Sequence, residues 1–343
     1  MVFVDDVKLQ FGGKTYSNFL SYSIDSDLLF TAGAFTIELA DKKTPVEVGE
    51  QCKIFINGNA ELTGFIEKIS YDDNKETTNL KVSGRDVMGL LVDACCEVSD
   101  CKALENVSLV NAARRMVRKI PLINHKDIIM QIGCEKQAVP HGMLQVEPGS
   151  KIFDILSRYA SMRGLIFYCL PNGVMVFGKP KARRLAGEPV FCLVREFNGI
   201  NNNIKSCTIE KDISKGASKV TVISQGIGDD AYGGSEILES FENPDFLPGF
   251  YKPLTIIQNG DKNSPAALAK MTVEKMRREI YSLTYKVAGH SQNGGNWHIN
   301  NWVSVQDEYL GIHGDFLVYG RTFTNSKNNG KETELRLAKG GLP

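Results

Sequence analysis

"KETTNLKV" at 75–82 and "KETELRLA" at 331–338 repeat one phrase near the two ends of a 343-residue chain. The likeness extends outward. The first copy follows "GFIEKISYDDN" from Gly64 and the second follows "GDFLVYGRTFTNSKNNG" from Gly314. In each, a glycine precedes an apolar-rich run, a polar turn comes next, and Lys-Glu-Thr opens a second alternating run. Two readings are open. Any two hairpins share this grammar of alternation around an Asn/Asp/Gly turn; alternatively, one structural unit is built twice, and self-similarity over a longer period would decide it.

From 1 to 94 the pattern is strand-like, with "FTIELAD", "CKIFING", "LTGFIEKISYD" and "NLKVSGRD" separated by Gly, Asn and Asp turns, as in a small barrel or sandwich. The texture changes after "GRDVMGLLVDACC". Residues 108–120 place Leu109, Ala112, Ala113, Met116, Val117 and Ile120 on one helical face, with Ser108 as cap. Ser150 caps a second helix whose stripe is Ile152, Ile155, Leu156 and Tyr159, Gly164 ends it, and two strands around Pro-Asn-Gly follow. The segment 95–189 thus reads as an α+β insertion. Strands return with "IKSCTIEKD" and "SKVTVISQG", then come Gly/Pro/acid-rich loops, a helix from Ser264 and Pro265 to about 282, and a closing β region. The expected fold is α+β and mainly β: a first β domain at 1–94, a second from 190–230 joined to 284–343, and a loop-and-helix excursion at 231–283.

Forty basic and forty acidic residues balance, which excludes the basic excess of a dedicated nucleic-acid binder. No run approaches the ~18 apolar residues of a membrane helix, so a soluble cytoplasmic chain without membrane insertion is expected. Eight cysteines lie in apolar strings and read as buried free thiols. Cys95, Cys96 and Cys101 cluster without a CxxC pair, so no metal is expected. The five histidines show no ligand spacing and read as surface or turn residues. No phosphate-cradling or nucleophile motif is present, and no cofactor is implied. Trp297 and Trp302 could form a sugar-stacking platform, or one could be in the core and the other half-buried. Arg85 and Asp86 stand between the strand "LKV" and the apolar turn "VMGLLV", where charge-assisted hydrogen bonds would pin a strand exit.

The order of a barrel-like first region, "GFIEKIS…LKVSGRDVMGLLVD", the insertion with "VEPGSKIFDILSRYASMRGLIFY", and "YKVAGHSQNGGNWHINNWVSVQDEYLGIHGDFLVYGRTFTNS" resembles the baseplate hub family of contractile-tailed phages. Mu-like tail hub proteins are the nearest likeness, with type VI secretion spike proteins more distant. The resemblance implies two similar tube-type β-barrel domains per chain and a homotrimeric ring adapting the six-fold tail tube to the three-fold spike. It also implies tube, spike and other baseplate proteins as partners, DNA only in transit, assembly in the host cytoplasm into the virion tail, and no enzymatic activity. In that frame Gly64, Arg85, Asp86, Gly314, Trp297 and Trp302 are structural or interface residues. Two competing readings remain. A glycan-binding module is suggested by a superficial LysM likeness of 146–177, and a cell-wall hydrolase by carboxylate-rich loops at 229–245.

Overall fold

The structure is a computed structural model. It describes residues 5–338 apart from 30–31, 42, 74–77, 101–106, 121–122, 135–145, 147, 162, 185–186, 188–189, 226–235 and 259–264. The first β region holds β1 (Val7–Phe11), β2 (Lys14–Tyr16), β3 (Phe19–Asp27), β4 (Ala34–Leu39), β5 (Gln51–Ile56), β6 (Asn59–Asp73) and β7 (Thr78–Asp86). The insertion carries α1 (Met88–Asp93), α2 (Leu109–Val117), β8 (Ile128–Met130), α3 (Ile152–Ser161), β9 (Ile166–Cys169) and β10 (Met175–Gly178). There follow β11 (Phe191–Arg195), β12 (Ile204–Lys211), β13 (Lys219–Gln225), β14 (Glu236–Glu242), β15 (Pro253–Gln258) and α4 (Pro265–Ile280). The chain closes with β16 (Tyr281–Ala288), β17 (Ser291–Gln292), β18 (Gly295–Asn296), β19 (Asn301–Asp307), β20 (Ile312–Ser326) and β21 (Gly330–Ala338).

Alternation builds the main sheet. In "QCKIFI" Cys52, Ile54 and Ile56 are buried while Gln51 and Lys53 face solvent, the period of a strand with one core face. Thirteen such strands join into a single sheet, and its order contains one path twice. The first half runs β3-β4-β7-β6-β5-β1, and the second runs β12-β16-β21-β20-β19-β11. Leaving out the three-residue β2, which extends the first half beyond β1, and the strands of other sheets, each half numbered in its own chain order is 2-3-6-5-4-1. Local irregularities repeat as well. Register slips at Leu20 in β3 and Lys205 in β12, and again at Glu67 in β6 and Tyr319 in β20. Two pairings differ: β1–β5 is antiparallel whereas β11–β19 is parallel, and β5–β6 slips at Glu61 whereas β19–β20 pairs without a slip.

The literal phrase that first suggested repetition does not align. Anchored on the slips, Ser83 corresponds to Arg336, so Leu80 matches Thr333, and the two Lys-Glu-Thr phrases are three residues out of phase. Lys331–Thr333 pair within β21, while 75–77 lie outside the described residues. An odd shift exchanges the faces of a strand, so the burial pattern follows the slips and not the words. Gly64 and Gly314 are likewise offset by two. Gly64 is required by close approach, since a Cβ there would lie 2.0 Å from the Arg85 carbonyl oxygen; Gly314 is required by its φ of +123°. Gly64→Ala should therefore lower the urea midpoint by the equivalent of about 2 kcal/mol, through backbone displacement of β7.

Neither half closes as the expected barrel. In the first, the β3 edge that closure would need is occupied by β20, with Gly320↔Asp27 through Asn325↔Tyr22 in register. One apolar cluster runs through both halves, from Leu9, Ile24, Ile54 and Val82 to Phe191, Tyr285, Phe323 and Leu335. The insertion has its own core, in which Leu109, Ala112, Ala113, Met116 and Val117 of α2 meet the buried face of α3, and β8-β10-β9 form a small sheet. Ser108 caps α2 through Asn111 N–H, as read from sequence. A further correction concerns β13, expected in the second β half. It is the centre of the sheet β14-β13-β15, with Val220 and Val222 against Ala269 and Val273 of α4. Alternation identifies a strand but not the sheet it joins. The excursion at 231–283, read as loop and helix alone, also holds the two flanking strands at 236–242 and 253–258, and the Ser264 cap lies outside the described residues.

Candidate functional site

The seam between the two halves is built from buried polar groups. Glu61 on β6 and Arg321 on β20 are each at most 1% exposed. Arg321 Nη1 donates to Glu61 Oε2 at 2.6 Å and to the Trp297 carbonyl at 2.7 Å, and its guanidinium lies 3.9 Å from the Phe323 ring centroid. Asn296 Nδ2 donates to the other Glu61 oxygen and to the Ile56 carbonyl. One Arg–Glu pair thus ties three segments distant in sequence, in surroundings where either charge alone would be costly.

A second node lies beside it. His290 is fully buried, correcting its reading as a surface residue: its Nε2 is 2.7 Å from Tyr22 Oη, its Nδ1 is 3.1 Å from Thr333 Oγ1, and its backbone N–H donates to Asp5. Burial, reinforced by the charges of Lys331 and Arg321 and opposed by Asp5, pushes its imidazole down to about 4. The native state therefore holds the neutral ring while the unfolded chain protonates near 6.5. This stabilisation is complete above 6.5 and is lost as pH falls toward 4. By pH 5 the loss should be about 2 kcal/mol, and His290→Gln should remove that acid limb from a plot of unfolding free energy against pH. A third node, within the second half, joins Arg195 to buried Asp307 through two hydrogen bonds of 2.9 and 2.6 Å, with Tyr285 Oη also donating to Asp307.

At the exit of β7 the geometry separates Arg85 from Asp86. Asp86 accepts from Gly33 N–H at 2.8 Å and Met88 N–H at 2.9 Å, holding the β4 entry and the α1 start together. Burial raises its carboxyl to about 7 against the opposing pull of these N–H groups. Arg85 instead pairs with Glu67, at the register slip of β6, and with Asp93 at the end of α1. A cavity of about 270 Å³ between the sheet and the insertion is lined by Asp27, Glu61, Asp86, Tyr168, His298 and Arg321, among others. Its three carboxylates are all committed: Asp27 to Leu29 N–H and Arg336, Glu61 to Arg321 and Asn296, Asp86 to backbone. Each of these contacts joins segments of the fold that are distant in sequence or meet at a strand exit.

Trp297 is 2% exposed and packs on Phe191, while half-buried Trp302 donates its indole N–H to the Lys181 carbonyl. The two rings form no open stacking platform. Segment 146–177 holds α3, β9 and all but the last residue of β10, an α-β-β order and not the β-α-β order read for the LysM likeness, and β10 pairs parallel with β8, outside the segment. Of the carboxylate-rich loops at 229–245 that motivated a hydrolase, 229–235 lie outside the described residues and 236–242 form strand β14. Cys95 is exposed, contrary to expectation, whereas Cys52, Cys96 and Cys134 are buried. No metal-ligating cluster occurs among the described residues, and no helix among them is long and apolar enough to cross a membrane. Sequence reasoning passed over Glu61, Arg321, Asp307 and His290. Alternation in "NAELTGF" groups Glu61 with Asn59 and Thr63, opposite Ala60 and Leu62, so it gave no signal; Glu61 is the extra residue where the β5–β6 register slips, and that slip is not visible in the sequence.

Two family models fall on the two β halves. Residues 6–86 match the N-terminal domain of the Mu phage baseplate assembly protein GpP-like family, and residues 276–342 match a tail protein C-terminal domain. The baseplate hub protein gp44 of Escherichia phage Mu is 22% identical over 97% of this chain and 87% of its own length. Among solved structures, a tail protein from Neisseria meningitidis MC58 matches with TM-score 0.82 and 27% identity, covering 98% of this chain and 97% of that one. The 43 kDa tail protein of prophage MuSo2 from Shewanella oneidensis matches with TM-score 0.80 and 21% identity over 98% of each chain. The chain is thus similar to a Mu baseplate hub protein and to phage tail proteins over nearly its whole length.

Proposed function

We propose that this relative of the Mu-like hub proteins is itself the structural hub of a contractile tail baseplate. Three copies form a ring between a six-fold tail tube and a three-fold spike. The observation that carries this reading is the strand order 2-3-6-5-4-1 occurring twice per chain. Each half acts as one tube-type unit, so three chains present six similar units on one face while keeping three-fold symmetry at the other. The insertion and the β14-β13-β15/α4 unit stand outside this repeat and supply contacts to other baseplate proteins. The protein does no catalysis: the carboxylates that line its cavity, Asp27, Glu61 and Asp86, are engaged in holding segments of the fold together. DNA passes the ring without being held, because a chain of balanced charge lacks the cationic excess that binds phosphates through counterion release.

Light scattering on the purified chain, alone and mixed with its tube and spike neighbours, tests the assembly. A particle of three times 37.9 kDa is expected. A chain that remains monomeric in every mixture would remove the trimeric ring.

A further inference from the structure

Two of the open strand edges of the main sheet correspond to the two sides of the contact that joins the halves, and the repeat says what covers them. Inside the chain, β3 of the first half lies antiparallel against residues 320–325 of β20, on the side opposite β21. The stretch of β6 equivalent to 320–325 is 68–73, by the slips at Glu67 and Tyr319. It is paired to β7 on one side, and on the other β5 reaches only as far as Phe65. The strand equivalent to β3 is β12, by the slips at Leu20 and Lys205, and it ends the sheet with β16 as its one strand neighbour. The contact used once within the chain therefore has both of its halves free at the chain's two ends.

Exposure agrees with this assignment position by position. Tyr22 and Ile24, under β20, are 5% and 0% exposed, while their counterparts Cys207 and Ile209 on β12 are half-buried. Phe323 is fully buried opposite Ile24, and its counterpart Tyr71 is 59% exposed. Open, register-competent edges of this kind are ordinarily protected, and pairing with another chain protects them. A single intramolecular contact and its intermolecular copy have the same sense of rotation, so the arrangement is head-to-tail, the kind of contact that makes a ring where its rotation closes.

We infer that β12 of one copy adds antiparallel to the 68–73 stretch of β6 in the next copy, with Ile69 opposite Lys211, Ser70 opposite Glu210 and Tyr71 opposite Ile209. This rests on the trimeric reading above and specifies its interface. The intramolecular β3–β20 ladder is then repeated between chains, making one continuous β layer of six units.

The test is the Tyr71→Cys/Ile209→Cys chain, oxidised and run without reductant, with disulfide-linked peptides identified by mass spectrometry. Linkage of position 71 to 209 between chains, with bands up to a closed trimer, is expected. A particle that is trimeric by light scattering but yields no 71–209 linkage overturns the strand pairing and leaves the trimer standing. A chain monomeric at every concentration, alone and mixed with its tube and spike neighbours, overturns the trimer, and the pairing with it. A variant outside the core supplies an independent reading: Tyr71→Asp should leave the circular dichroism spectrum unchanged and weaken self-association at least tenfold. Unchanged association would count against the pairing.

Discussion

Arg321→Met is expected to cost the fold on the order of 3–5 kcal/mol, because it leaves Glu61 as an uncompensated charge in the interior. Glu61 has no access to water, and after the substitution its remaining neighbours are Asn296 and His298, whose Nδ1 lies 3.7 Å away. Burial pushes the His298 imidazole down, so it is a poor substitute cation at neutral pH. The seam would loosen where β6, β20 and the Trp297 segment meet. Adding Glu61→Gln to Arg321→Met should restore most of the loss, since a neutral amide can still accept from Asn296 while no charge is stranded. Urea unfolding of the two single variants and the double, followed by Trp297 and Trp302 fluorescence, measures the coupling. A double variant as unstable as the sum of the singles would mean that the pair does not hold the two halves together.

The same seam shows what the sequence could and could not convey. Strand identity was legible because alternation is local: "QCKIFI" can bury only one face. The cap of α2 was legible for the same reason, Ser108 needing to reach only Asn111. Strand order was not, because it is fixed by contacts such as Tyr22 to His290, 268 residues apart. "GHSQNGG" reads as a polar turn, and nothing within it reveals that Tyr22 and Thr333 close over the imidazole. The paired "KET" phrases pointed toward a repeat that is present in strand order, yet the phrases themselves occupy different positions. Two equivalent hairpins need to conserve the face of each apolar residue and the site of the register slip, and neither demands identical polar residues near the turn. β13 was placed in the wrong sheet because Val220 and Val222 would suit any apolar partner; α4, 45 or more residues later in the chain, decides it.

Asp86→Ala should destabilise the junction of the first β half and the insertion by on the order of 3 kcal/mol, and pH should identify the cause. Removing the carboxylate leaves Gly33 N–H and Met88 N–H buried without acceptors, each costing roughly 1–3 kcal/mol. Part of that cost is offset because the carboxylate is itself expensive to bury, which is why its carboxyl is raised to about 7 from an ordinary 3.8. The sign of the linkage follows. Between those two values the native state holds a proton that the unfolded chain has released, so the stabilisation is complete below 3.8 and declines as pH rises to 7, with no further change above. This runs opposite to His290, whose contribution grows with pH over an overlapping range, and the wild-type curve should be flatter between pH 4 and 7 than either group alone would make it. Asp86→Asn, which resembles the protonated acid in charge, should uncover the His290 slope: its stability should rise with pH where the wild type is nearly level. Thermal or urea unfolding at half-unit steps from pH 4 to 8 reads this directly. Parallel curves for wild type and Asp86→Asn would show that Asp86 is ionised throughout, and its role would then be that of a charged acceptor for the N–H groups alone.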